Sequence, residues 1–237
     1  MHTVEVNNLV KNYGAIQAIK GINFNIDQGE IFGLIGPNGA GKTTALRVIS
    51  TLLQITSGSV KVLEYDVKKD PEEVRKLISY LPEDAGAYKN LTGRAYLIFI
   101  ANFFTDKNKK EMIEKGVTIA DLENRIDDKV DTYSKGMKRR LLVGRALMTD
   151  PRLAILDEPT SGLDVVNAQE IRKIIKDTAR AGTTVLLSSH NMLEVEYLCD
   201  RIALISDGII IERGRPKQLM EKYNVPNIEE VFTKVVQ

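Results

Sequence analysis

The chain has 237 residues, with 33 Lys and Arg against 32 Asp and Glu, for a formal net charge of +1. At about 100–200 residues per domain, this is one large domain or one with a sizeable insertion. The near-neutral balance gives no global electrostatic case for a nucleic-acid partner. A single cysteine, Cys199, excludes an internal disulfide and a cysteine-based metal cluster; it reads as a small buried apolar residue in a reducing compartment.

In chain order, His2-Thr3-Val4-Glu5-Val6 alternates like a strand and does not read as a signal peptide. Ile22, Phe24 and Ile26 alternate with Asn23 and Asn25, so the first thirty residues are expected to form antiparallel strands, with a turn at Gly29. Ile31 to Ile35 is a nearly continuous apolar run, the pattern of a strand buried on both faces in a parallel sheet. Leu153 to Leu156, Val185 to Leu187 and Ile202 to Ile205 repeat it. Ile171, Ile174, Ile175 and Thr178 place a stripe on one helix, and Gly182 sits where its C-terminal cap belongs. Asp207-Gly208 is a hairpin signal. Strands alternating with helices predict an α/β fold with a parallel sheet.

The middle differs. From about Gly86 to Leu147 the spacing is helical, as at Tyr96, Phe99, Ile100 and Phe103, which predicts an inserted helical subdomain. Its apolar stretch, Ala95 to Phe104, is too short for a membrane span, which needs roughly 20 residues. Lys107 to Lys110 reads as a solvated loop or helix end. The expected organisation is a single domain over 1–237: a β-subdomain and the first part of the core in 1–85, the helical subdomain in 86–147, and the rest of the core with a polar tail in 148–237.

Gly36-Pro37-Asn38-Gly39-Ala40-Gly41-Lys42-Thr43 fits the pattern G-x-x-x-x-G-K-[ST] in full. A buried strand precedes it, and Thr44 to Thr51 is expected to form a helix. Glycines let the backbone curl until successive N–H groups point at phosphate oxygens, and the helix start adds unpaired N–H groups and partial positive charge. Lys42 is placed to reach the β- and γ-phosphates of a nucleoside triphosphate, and Thr43 to put its hydroxyl on Mg²⁺. Leu153 to Leu156 then ends in Asp157 and Glu158. Beside such a loop, Asp157 suits a magnesium ligand and Glu158 a base for the attacking water.

With these motifs in this order, the chain resembles the nucleotide-binding subunit of an ATP-binding cassette (ABC) transporter along nearly its whole length. The resemblance implies a P-loop NTPase core with an N-terminal antiparallel β-subdomain and an inserted helical subdomain. It implies that Tyr13 stacks on adenine and that Gly36 to Thr44 grip ATP. It places Tyr133-Ser134-Lys135-Gly136-Met137 at the family signature Leu-Ser-Gly-Gly-Gln, Asp164 of Ser161-Gly162-Leu163-Asp164 in the dimer-contact loop, and His190 at the switch histidine. Ser134 can cap a helix facing an anion, and Gly136 lets backbone approach it; the resemblance makes that anion the γ-phosphate held by a second subunit, identical or different. Two departures stand out: Lys135 and Met137 replace glycine and glutamine in the signature, and Glu83 follows Tyr80-Leu81-Pro82 where the family usually has glutamine. Glu83 is carried over as a metal and coupling position.

The resemblance further implies an integral membrane permease as partner, a location at the cytoplasmic face of the cell membrane through it, and export of drugs, lipids or polysaccharides. The competing reading is a soluble cassette ATPase acting on nucleic acid, ribosomes or cluster assembly. Neither the long insertions nor the fused second cassette of such relatives is visible, which favours transport without nucleic acid.

Overall fold

The computed structural model describes residues 2–105 and 108–236, with backbone alone for 193 and 194. In chain order the elements are β1 (His2–Tyr13), β2 (Ile16–Asp27), β3 (Ile31–Ile35), α1 (Lys42–Ile49), β4 (Ser57–Val62), β5 (Tyr65–Asp66), α2 (Pro71–Leu77) and β6 (Ile78–Leu81). Then come α3 (Gly93–Ala101), α4 (Lys109–Ala120), two short 3-10 turns, α5 (Lys135–Leu147), β7 (Leu153–Asp157), α6 (Val165–Arg180) and β8 (Thr184–Ser189). The chain closes with α7 (Met192–Leu198), β9 (Arg201–Ser206), β10 (Ile209–Gly214), α8 (Pro216–Tyr223) and α9 (Ile228–Val236).

Two sheets organise these elements. The first is antiparallel, in the order β2-β1-β4-β5. The second runs β10-β9-β3-β8-β7-β6, parallel except for the β9–β10 hairpin. That hairpin turns at Asp207-Gly208, both at positive φ (47° and 76°), as a two-residue loop requires.

The continuous apolar runs have a direct cause: each central strand feeds two cores. Phe32 and Leu34 of β3, with Leu153 and Ile155 of β7, pack towards the antiparallel sheet and α1. Phe24 of β2 stacks on Phe32 there, with ring centroids 5.3 Å apart. Ile31 and Ile35, with Ala154 and Leu156, face the other way, onto α3, α5 and α6. Both faces of the sheet are therefore dry, and alternation disappears from the sequence.

Helix α6 buries Ile171 and Ile175 against this second core, and Gly182 takes the left-handed conformation (φ 101°) just past its end. Between β6 and β7 the chain forms helices and 3-10 turns, with one isolated bridge between Thr92 and Lys129. Of the charged run from Lys107, Lys107 itself lies outside the described residues; Asn108 caps α4 through Glu111 N, and Lys109 and Lys110 begin the helix. No described helix is long and apolar enough to cross a membrane.

One polar cluster ties the sheets together. Glu30, 8% exposed, precedes β3 and accepts from Asp27 N (2.7 Å) and Arg201 Nε (2.5 Å). Arg201 also donates to Asn25 O (2.6 Å) and lies over the Phe32 ring. Burial pushes the Glu30 carboxyl above its usual pKa, against the pull of the Asp27 N–H and Arg201. Arg201→Ala would leave this carboxylate facing one backbone N–H. It is expected to lower stability in urea unfolding by about 2 kcal/mol, the discounted value for a partly exposed partner.

Candidate active site

Strand β3 delivers the chain to Gly36, whose N–H donates to Ser189 O at 3.2 Å. No larger residue fits there, because a Cβ would run into the Ile205 carbonyl. Gly39 and Gly41 follow at φ 83° and 104°, conformations that L side chains rarely adopt. Helix α1 therefore starts at Lys42, two residues earlier than the sequence suggests: Gly41 supplies the sharp entry and Lys42 and Thr43 already belong to the first turn. Its N-cap Gly41 has no side chain, and no acid occupies the first turn, so the start of α1 is left for an external anion.

Lys42 is 5% exposed, and its ammonium donates to Gly36 O (2.7 Å) and Pro37 O (3.1 Å) across the loop. A cleft of about 320 Å³ opens here, between Asn38, Lys42 and Thr44 on one wall and Glu83 and Glu158 on the other. A cavity of about 450 Å³ between α4, α5 and α6 contains none of the motif residues; the chemistry, not the volume, marks the site.

Parallel pairing sets Ile35 beside Ser189 and Asp157 beside Ser188, so β3, β7 and β8 end together. Asp157 is buried, and its carboxylate accepts from Ser188 Oγ (2.6 Å) and Thr43 Oγ1 (3.2 Å) on one oxygen and Tyr80 Oη (3.3 Å) on the other. Glu158 is 4% exposed and non-glycine at φ 48°, a strained conformation costing about 1–3 kcal/mol. It is held by Ser188 Oγ accepting from its N–H (2.9 Å) and by Arg139 donating to its carbonyl (2.5 Å). One Glu158 oxygen meets His190 Nδ1 at 2.8 Å. The other, Oε1, is buried without a hydrogen bond, although the Lys42 ammonium lies 3.4 Å away. The distance makes an ion pair between two residues that line the cleft.

Arg139 of α5 donates to the carbonyls of Glu83, Asp157, Glu158 and Pro159. Burial pushes its pKa below the usual arginine value, opposed by the charges of Glu83, Asp157 and Glu158. Glu83 Oε1 also accepts from Ser161 Oγ at 3.5 Å. The donor set fits magnesium: a helix-borne hydroxyl (Thr43) lies within 3.2 Å of a fixed carboxylate (Asp157), beside the anion-facing start of α1.

A second group of motif residues gathers elsewhere. Ser134 caps α5 by accepting from Met137 N (3.2 Å), and Asp164 caps α6 by accepting from Asn167 N (3.0 Å). Asn167 fills the space a Cβ on Gly136 would need, so the close approach this glycine allows is, within the chain, to α6. The Lys135 ammonium lies against Gly162. Ser134 and Asp164 are exposed and do not line the cleft. Tyr13 ends β1 at 45% exposure, with the Lys11 ammonium 5.1 Å from its ring centre; it too stands outside the cleft lining, which Ala18 reaches from the same hairpin.

Sequence reasoning missed Ser188, Tyr80, Asn167 and Arg139 as site residues. Their partners lie 31, 77 and 18 or more residues away for the first, second and fourth, and no short motif signals such pairings.

A family model described as ABC transporter matches residues 19–161. The linearmycin resistance ATP-binding protein LnrL of Bacillus subtilis (strain 168) is 38% identical, over 92% of this chain and 71% of its own length. Nod factor export ATP-binding protein I of Rhizobium meliloti (strain 1021) is 37% identical, over 97% and 69% respectively. A solved dimeric ATP-binding cassette in a post-hydrolysis state, bound to ADP and Pi, superposes with a TM-score of 0.80 at 25% identity, over 90% of this chain and 98% of that one. A phosphate loop, two buried acids and a histidine at the common edge of β3, β7 and β8 are thus set in a fold shared with these proteins, and the chain belongs to the ABC transporter family as an ATP-binding, ATP-hydrolysing cassette.

Proposed function

We propose that this cassette drives export through a separate membrane permease, working as one of a pair of cassettes that enclose ATP between them. The observation that carries the hydrolytic part is Glu158: a buried carboxylate lining the phosphate-loop cleft, with one oxygen on His190 and the other ion-paired with Lys42. Relatives named for linearmycin resistance and Nod factor export support the outward direction.

In this reading Tyr13 stacks on the adenine, and the N–H groups from Gly36 to Thr44 hold the phosphates. Lys42 leaves the carbonyls of Gly36 and Pro37 for the β- and γ-phosphate oxygens, which are better acceptors because they are charged. Thr43 and Asp157 would hold Mg²⁺, with Glu83 beside them, and the bound ion would supply charge neutralisation at the phosphates. Glu158 takes a proton from water as its oxygen attacks the γ-phosphorus and ADP departs with the bridging oxygen. His190, hydrogen-bonded to Glu158, orients that carboxylate and reaches the transferring phosphoryl group. Ser134 at the exposed start of α5 meets the γ-phosphate held by the second cassette, with the backbone of Gly136, buried against Asn167, beside it and Asp164 at the contact between the two. Catalysis of this kind is positioning and electrostatics.

An exposed aromatic ladder supports the permease partner. Tyr88, Phe99 and Phe103 contact edge to face, with centroids 5.3 and 5.2 Å apart, and Phe103 is 71% exposed. The helical stripe expected from the sequence is thus split: Tyr96 is buried in the core, whereas Phe99 and Phe103 face outward. An apolar helix from a membrane subunit would cover them, continuing a ladder that begins in the core.

Glu158→Gln is expected to slow hydrolysis by roughly 10²- to 10⁴-fold with ATP affinity retained; wild-type phosphate release would remove Glu158 from the role of base. Lys42→Ala is expected to weaken ATP binding by about 1.5–3 kcal/mol for each charge-assisted hydrogen bond lost, read by calorimetric titration. The partner is tested by capture from detergent-solubilised membranes. Recovery of a protein with several apolar spans, lost on Phe99→Ala with Phe103→Ala, supports the reading, and recovery of ribosomes or nucleic acid alone overturns it.

A further inference from the structure

Asp157 is held at both of its oxygens, and the two holders differ. Ser188 and Thr43 reach Oδ1 from β8 and α1, at 2.6 and 3.2 Å. Oδ2 has Tyr80, whose hydroxyl donates from the neighbouring strand β6 at 3.3 Å. In the parallel register Tyr80 lies beside Ile155, and Leu81 beside Leu156, so the ring runs along the sheet face towards the acid. The Arg47 guanidinium of α1 lies near this hydroxyl. Arg47 is an exposed side chain four residues beyond Thr43, on the helix that carries the phosphate-binding lysine.

These contacts form a brace. A carboxylate that binds a magnesium ion must keep one rotamer and present one oxygen. A free Asp side chain would swing, and its oxygens would exchange about the χ2 torsion, which is broad. Ser188 alone pins one oxygen and leaves that torsion unblocked; a donor on the second oxygen stops it. A phenol, with an ordinary pKa of about 10, is a neutral donor near pH 7. The acceptor that its hydrogen meets is Asp157 Oδ2.

We infer that Tyr80 is a positioning residue of the magnesium site: its hydroxyl, donating to Oδ2, fixes Asp157 in the rotamer that receives the metal. The inference rests on the reading of Asp157 as a metal-holding group. It assigns to the tyrosine before Leu81-Pro82-Glu83 a role in metal affinity, separate from substrate contact and from the packing of its ring. Partners of this kind, one bond removed from a metal ligand, commonly alter metal affinity about 10- to 100-fold when lost.

Tyr80→Phe removes the hydroxyl and keeps the ring, so it should melt with the wild type. Binding of the fluorescent nucleotide MANT-ATP is measured in EDTA and over a Mg²⁺ series for wild type, Tyr80→Phe and Asp157→Asn. The expected result is equal affinity in EDTA for wild type and Tyr80→Phe, with the half-saturating Mg²⁺ concentration of Tyr80→Phe raised about tenfold, and turnover restored by excess Mg²⁺. An unchanged Mg²⁺ dependence overturns the inference. So does an equal loss of affinity with and without Mg²⁺, which would make Tyr80 a packing or nucleotide-contact residue. Asp157→Asn separates the two levels: if it keeps the wild-type Mg²⁺ dependence, the metal reading of Asp157 itself has failed, and the role of Tyr80 falls with it.

Discussion

The parallel pairing of β3, β8 and β7 is the constraint on which the site depends. Ile35 stands beside Ser189, and Ser188 beside Asp157, so three strands far apart in sequence end on one line. The phosphate loop leaves from the first, the two acids from the third, and His190 from the second. Shifting β8 by one residue would turn Ser188 to the opposite face and break both of its bonds, to Asp157 and to the Glu158 N–H. The register is secured by apolar burial on both faces rather than by the polar groups themselves. Phe32, Leu34, Leu153 and Ile155 pack to one side, and Ile31, Ile35, Ala154 and Leu156 to the other. The cores thus supply the free energy that keeps a strained Glu158 and a buried Asp157 where they are.

Local features of this arrangement were legible in the sequence. The phosphate loop could be read because its chemistry is contiguous: glycines for curvature, a lysine and a threonine, all within eight residues. The continuous apolar runs could be read as two-sided strands for the same reason. The start of α1 was placed too late, at Thr44, because the sequence does not display the left-handed entry at Gly41 that brings Lys42 and Thr43 into the first turn. Tyr80, Ser188 and Arg139 were invisible as site residues because each acts across the fold. Arg139 reaches four carbonyls from α5, and a basic residue in a basic stretch gives no sign of that. The aromatic stripe at Tyr96, Phe99 and Phe103 shows the limit of periodicity: it fixes a helix face, but cannot say where the core ends and the outer surface begins.

The departures from the family pattern acquire physical context. Lys135, in place of a signature glycine, starts α5 with its ammonium against Gly162, in the loop that follows Asp157 and Glu158. Arg139 binds the carbonyls at the other end of that loop. Helix α5 is therefore joined to the loop from Pro159 to Asp164 at two points, and to α6 at a third, where Asn167 packs on Gly136. Glu83 belongs to the same assembly through its carbonyl on Arg139 and its carboxylate on Ser161. In the proposed pair of cassettes, the helix that would finish enclosing one ATP thus contacts, in its own chain, the segment that carries Asp157 and Glu158.

The central claim is that the start of α5 completes a nucleotide site in a second cassette, and mass in solution tests it most directly. Light scattering of the Glu158→Gln chain, with and without ATP, should report a single chain without nucleotide and twice that mass with it, the doubling being abolished by adding Ser134→Arg. A mass that stays at one chain in saturating ATP, or a doubling indifferent to Ser134, would contradict the account.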